Sequence, residues 1–491
     1  MAISFNGIPS NLRVPLFYME FDNSSANKGT PAQDRKLLAI GQRATAGLIN
    51  AGVPVRVTNA DQAAQLFGRG SMLHGMLASI KAADRITETW VIALDDDAAG
   101  VAAAGSITFA GLATSAGVVN LYIGGTRVRA GVGSGDEPSD VAATLAAAIN
   151  ANTDLAVTAA VDGVDSAKLN LTCRWKGETG NDLDLRLNYY QGESLPAGLT
   201  ATVTAMAGGA ANPDVAGAIT NFGDEWWNIL VMPYTDTANL DALEAELLQR
   251  WGPLRQMEGL AFCAYRGTHG ATGTFGSGRN GYLTTCMGTG ASPTPPWIWA
   301  AVNAVIAEGS LSIDPARPLQ TLVLPGVLPP ASEDRWTMEE RNLLLWDGIS
   351  TYFVNAGGQV CIERQITTYQ ANAYGTQDPS YLDVTTPATE GWRRYSLKAR
   401  ITQKYGRHKL ASDGTRFGPG QAIVTPSIIR AELLALFREH EEAGLVEDYE
   451  AYAESLVVER NVDNPNRLDV LERPDLVNGL TILAVQSQFV L

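Results

Sequence analysis

NGLTILAVQSQFVL, residues 478–491, closes the chain. Alternate positions carry Thr481, Leu483, Val485, Ser487, Phe489 and Leu491. Such apolar alternation marks a strand with one buried face. Chain ends are ordinarily polar and frayed, so this one is expected to be tied into a sheet. Leu480, Ile482, Leu483, Val485, Phe489 and Leu491 are its candidate contact residues. The other end is similar: residues 3–6 (ISFN) alternate, with Ile3 and Phe5 as the apolar pair, and RVPLFYMEF follows at 13–21. Either both ends dock on their own subunit or they pair with neighbours. Gly479 and the Pro474-Asp475 turn are the expected hinge of the terminal arm.

The chain has 491 residues, which suggests about three domains. A hydrophobic content of 45% makes it globular rather than disordered. The net charge of −16 argues against nucleic acid or an anionic membrane as main partner. Cys173, Cys263, Cys286 and Cys361 form no CxxC pair and read as isolated buried thiols, which fits a reducing compartment. No basic, then apolar, leader opens the chain, and no stretch reaches the ~20 apolar residues of a membrane span.

Helices and strands alternate first. A helix is expected over residues 33–46 and a strand at VPVRVT (53–58). A helix capped by Asn59 or Asp61 and another capped by Ser71 follow, then a buried strand WVIAL (90–94). After Asp95-Asp96-Asp97 the composition shifts to Ala, Gly, Thr and Val, with short alternating strands around one helix at 139–150. Gly/Ala-rich stretches at both ends read as flexible linkers to an inserted domain. The βα pattern then resumes. It includes a helix at 240–251 with Leu240, Leu243, Leu247 and Leu248 inward, a Gly-rich loop running to Gly290, a strand at 319–324 and a hairpin through Asn355-Ala356-Gly357-Gly358. The fold class is therefore α+β multidomain. Its expected parts are an N-terminal arm (1–22), a discontinuous α/β core (23–97 and 214–370), an inserted β-rich domain (98–213), a C-terminal α+β domain (371–477) and a C-terminal strand arm (478–491).

No catalytic constellation emerges. His74, His269, His408 and His440 are scattered, with no zinc spacing. Neither a GxxxxGK[ST] phosphate loop nor a GxSxG elbow is present. Residues 276–281 match GxGxxG, but no strand leads directly into them and the following Tyr282-Leu283-Thr284-Thr285 looks extended. The three aspartates lack the twelfth-position Glu of a calcium loop and read as a charged hinge. The expectation is no enzyme, no cofactor and no metal. One charge cluster stands out: Arg393, Arg394, Lys398, Arg400, Lys404 and Arg407, interleaved with Trp392, Tyr395 and Tyr405 and free of acids. Such a patch can bind nucleic acid or an acidic protein surface, or be a solvated helix face.

Three stretches carry a resemblance: ISFNGIPSNLRVPLFYMEFDNSSA (3–26), NADQAAQLFGRGSMLHGML (59–77) and the hairpin VNAGGQVCIERQIT (354–367). With the closing helix, VVERNVDNPNR and terminal strand, the chain resembles the contractile tail sheath proteins of Mu-like bacteriophages. Wider sheath families often place a Gly-x-Arg-Thr run after the hairpin, where this chain has Glu363-Arg364-Gln365-Ile366-Thr367.

The resemblance implies a structural subunit of the virion tail, assembled in the host cytoplasm as stacked hexameric rings around a tail tube. Contraction then drives the tube through the host envelope. Implied partners are further copies of the chain, the tube protein, and baseplate and tail terminator proteins, without direct nucleic-acid contact or stable membrane insertion. The arms would complete sheets shared with neighbours, and the six cations would face the tube. The inserted domain would lie outward, so that removing residues 99–212 should leave an assembling subunit. Alternatives are a soluble envelope- or sugar-binding phage protein, or the sheath of a bacteriocin-like particle.

Overall fold

KLLAIGQ does not form the expected helix. It is strand β1 (Lys36–Gln42), buried from Leu37 onward. An unbroken apolar run suits a central parallel strand covered on both faces. The computed structural model that shows this describes residues 14–15, 17–19, 33–418 and 420–490. Ile3, Phe5 and Leu491 lie outside these residues, as does most of the stretch 3–26.

β2 (Pro54–Val57), α1 (Ala60–Phe67), α2 (Met72–Ala83) and β3 (Glu88–Leu94) follow β1. Asn59 and Ser71 cap the two helices through the backbone N–H groups of Gln62 and His74.

The inserted segment then contributes β4 (Ala104–Ala110), β5 (Gly117–Ile123), β6 (Thr126–Val132), α3 (Pro138–Ala151), β7 (Val157–Val161), β8 (Lys168–Cys173), β9 (Leu185–Leu187) and β10 (Thr200–Ala207). These form two antiparallel sheets, ordered β10-β4-β8-β7 and β6-β5-β9.

The core resumes with α4 (Ala216–Ile219), β11 (Ile229–Val231), α5 (Thr237–Trp251), β12 (Leu260–Tyr265), α6 (His269–Ser277), β13 (Thr284–Gly288), α7 (Pro296–Leu311), α8 (Met338–Trp346), β14 (Thr351–Val354) and β15 (Val360–Arg364). Its sheet runs β13-β12-β11-β1-β3-β2, parallel except for β2 at one edge. α7, apolar apart from a few positions such as Asn303 and Glu308, is buried on nearly every side, and Arg35 pairs with the buried Glu308.

Three local expectations fail. The Gly-rich stretch before Gly290 holds α6 and β13. Residues 319–324 form no continuous strand, although they meet β15 through a bridge of Val323 with Cys361 and main-chain bonds from the Thr321 and Leu324 N–H groups to the Ile362 and Val360 carbonyls. Leu248 points to solvent, 47% exposed.

The linkers of the insert are tied rather than loose. Val101 and Ala210 bridge each other, with both N–H···O bonds made. Gln42, at the end of β1, donates to Asp96 (2.7 Å) and to the Lys176 carbonyl (2.6 Å). Trp175 of the insert meets Trp297 of α7 edge to face at 5.4 Å. One buried cluster runs without a break from the core into the insert.

The C-terminal unit contains α9 (Thr385–Tyr405), β16 (Lys409–Leu410), β17 (Ile423–Val424), α10 (Pro426–Glu442), β18 (Val446–Glu447), α11 (Tyr449–Ser455), β19 (Val457–Arg460), β20 (Leu468–Leu471) and β21 (Asp475–Leu476). Its own small core centres on Leu433, Phe437 and Tyr452. α9 joins the two bodies: Ala388 packs on the main core, while Leu397, Ile401 and Tyr405 pack on the second.

Candidate assembly surfaces

β21 pairs with β18, which fixes the chain at Asp475 and Leu476. The Pro474-Asp475 turn is therefore a strand entry and not the hinge expected there. A Cβ on Gly479 would fall 2.6 Å from Pro318, and Gln320 donates to the Leu480 carbonyl at 3.0 Å. These contacts hold the root of the arm. Beyond them Ile482, Leu483, Val485 and Phe489 are 76–82% exposed. None of these residues has a strand partner among the described residues. The stretch from 478 carries no charge, so water is its worst surrounding.

A receptive surface exists in the same unit. β19 and β20 form an isolated antiparallel hairpin, paired Val457 to Leu471 through Arg460 to Leu468. The Asn461 side chain accepts from the N–H groups of Asp463 and Asn464 and locks the turn. Val457, Val470 and Leu471 remain about half exposed. A two-stranded ribbon is marginal alone, and each of its edges offers unpaired main-chain groups.

The basic run is mostly spent inside the subunit. Arg393 is buried and pairs with Glu390 (3.0 Å) and Glu472 (3.3 Å). Arg394 lies 3.1 Å from Glu258, donates to the Trp251 carbonyl and covers the Trp251 ring at 4.7 Å. Arg400 bridges Glu432 and Glu439 on α10, and Lys404 also reaches Glu432. Burial alone would raise the Glu432 carboxyl, but bonds from Lys404, Tyr405 and Arg400 hold it below its ordinary value. Burial keeps the Glu258 carboxyl above its ordinary value against the pull of Arg394 and Lys398. Only Lys398 and Arg407 of the six are exposed without an ion pair among the described residues.

The remaining motifs are structural. The acidic run is consumed locally: Asp95 by Arg43, Asp96 by Gln42 and Asp97 by the Ala99 N–H. Gly276 and Gly278 of the GxGxxG run end α6, and Gly276 is small because a Cβ would sit 2.3 Å from the Asp347 carbonyl oxygen. His440 is buried against Ser396, 2.9 Å away. Among the described residues no group of three His, Cys, Asp or Glu could hold a metal ion. No described helix is long and apolar enough to cross a membrane. Sequence reading missed the outward apolar side of α8. Its signal was the run LLLW, which with Met338 gives one short helix more apolar faces than it can bury.

Beyond Leu480 the arm has no strand partner among the described residues, and the β19–β20 hairpin pairs with no further strand among them. Three family models match the chain: the phage tail sheath protein beta-sandwich domain at residues 98–202, the phage tail sheath protein central domain at 208–368 and the phage tail sheath C-terminal domain at 376–490. The Mu-like prophage FluMu tail sheath protein of Haemophilus influenzae is 51% identical over 491 residues, all of both chains. The chain belongs to the phage tail sheath protein family and is a structural subunit of a contractile tail sheath. Among solved structures, the sheath tail protein of Desulfitobacterium hafniense is similar at 12% identity and a TM-score of 0.47, over 94% of this chain and 100% of that one. The anti-feeding prophage baseplate structure contains a chain at 10% identity and 0.46, over 98% and 100%.

Proposed function

We propose that the subunit polymerises as stacked hexameric rings around a tail tube, and that each arm adds a strand to the β19–β20 hairpin of a neighbouring copy. The exposed, uncharged arm carries this reading. Strand addition supplies main-chain bonds for affinity and alternate apolar side chains for fit. Because the arm is rooted at Gly479 and Leu480, a subunit can rotate while its ladder to the neighbour persists. Contraction then releases packing energy without nucleotide, and the role is non-catalytic. The tube, baseplate and terminator are the further partners, the inserted domain faces outward, and assembly takes place in the host cytoplasm before the sheath joins the virion.

The first test is truncation after Asn478. The shortened chain should fold, with unchanged circular dichroism, and elute as a monomer, while the full chain forms rings or tubes under negative stain. A truncated chain that misfolds would instead make the segment a core strand.

A further inference from the structure

Helix α8 keeps Met338, Leu343 and Trp346 at 69%, 55% and 63% exposure, while Leu344 opposite them is buried. At 100° per residue the three occupy one side of the helix. Glu333, Asp334 and Glu339 stand exposed at its N-terminal end, with no ion pair among the described residues. Leu345 and Trp346 also line a groove of about 760 Å3 with Tyr369, Pro379, Leu382, the charged Arg364 and Asp378 and, from the arm, Ile482.

The complement lies on the same chain. Residues 406–418, after α9, expose Arg407, Lys409 and Arg416, and Phe417 is 44% exposed. The one carboxylate of that loop, Asp413, is taken by the Ser427 N–H (3.1 Å) and hydroxyl (2.5 Å). No ion pair joins this loop to α8 among the described residues. Copies of a subunit with net charge −16 repel at long range, so a contact between them must match opposite charges locally.

We propose that the Arg416-Phe417 loop of one copy docks on α8 of a second copy. Phe417 enters the groove beside Trp346, and Arg407 and Arg416 meet Glu333, Asp334 and Glu339. An aromatic next to an arginine is the pairing that anchors interfaces, and Trp346 offers a ring face to a guanidinium. The two patches differ, so the contact is heterologous and repeats from copy to copy without closing on a pair, as an array requires. The inference rests on the sheath reading above and adds a contact independent of the arms.

The test is charge exchange in the full chain, with polymer yield read by sedimentation at ~0.15 M salt. One variant is Glu333→Lys with Glu339→Lys; another is Arg407→Glu with Arg416→Glu; the third combines all four. Each pair should lower yield by about tenfold or more, and the combination should restore most of it. Circular dichroism checks that every variant folds. Pairs that polymerise like wild type, or a combination no better than the pairs, overturn the proposal. Normal sheath polymers with lost tube binding from the arginine pair overturn it too, in favour of a tube-facing loop. A wild-type chain that stays monomeric refutes the sheath reading and this contact together; a wild-type polymer with indifferent variants refutes this contact alone.

Discussion

Replacing Glu432 by Gln should loosen the C-terminal unit far more than its surface. The Glu432 carboxylate accepts from Arg400 (3.0 Å), Tyr405 (2.8 Å) and Lys404, with only 7% of its side chain exposed. Breaking a buried pair costs about 3–5 kcal/mol. Two effects reduce this. Lys404 is 54% exposed and turns to water, and Arg400 keeps Glu439. Roughly 2–3 kcal/mol remains. For a unit of this size each kcal/mol moves the midpoint by about 4–8 °C, so a drop of roughly 10–20 °C is expected. Scanning calorimetry, with proteolysis of the residues after 384 as a local readout, measures it. A shift under about 2 °C would refute the reading of these cations as internal clamps and return them to the surface.

Burial, with Arg393 and Arg400 nearby, lowers the His440 imidazole to about 4. The unfolded chain therefore binds that proton first, so stability is full above about pH 6.5 and falls as pH drops toward 4. Denaturant unfolding at several pH values should show wild type losing stability relative to His440→Gln as pH falls from about 6.5 toward 4, with the difference constant above that window. Deleting residues 99–212, which the sequence reading expected to leave an assembling subunit, should instead yield insoluble protein, because the insert shares one buried core with the rest and Trp175 packs on the buried Trp297; a soluble deletion in an expression test would contradict the continuous core. Gly276→Ala should cost about 1–3 kcal/mol by thermal melt, since its Cβ would meet the Asp347 carbonyl oxygen and Ile349.

The features legible in the sequence were those set by near neighbours. Asn59 and Ser71 announced their helices by capping chemistry, and the hairpin through residues 355–358 announced itself by its glycines. The arm's alternation follows from position parity alone, and in the single chain residues 478–490 form no strand and bury neither face. What failed depended on distant partners. KLLAIGQ suits a helix or a central strand equally until β3 and β11 flank it. The basic run looked free because Glu432 and Glu439, which take Arg400, arrive some thirty-two and thirty-nine residues later. Helix α6 was hidden by its own glycines, of which Gly273 and Gly276 are required by the close approach of Asp347. The Gly/Ala linkers looked mobile because nothing local reveals that Val101 and Ala210 bridge each other.

Cryo-electron microscopy of the full chain assembled with its tube tests the central claim most directly. The account predicts that residues beyond Ile482 run as a strand along the β19–β20 hairpin of another copy, with Leu483, Val485 and Phe489 covered there. An arm folded back along its own subunit in the assembled sheath, with every β19–β20 edge unpaired, would contradict it.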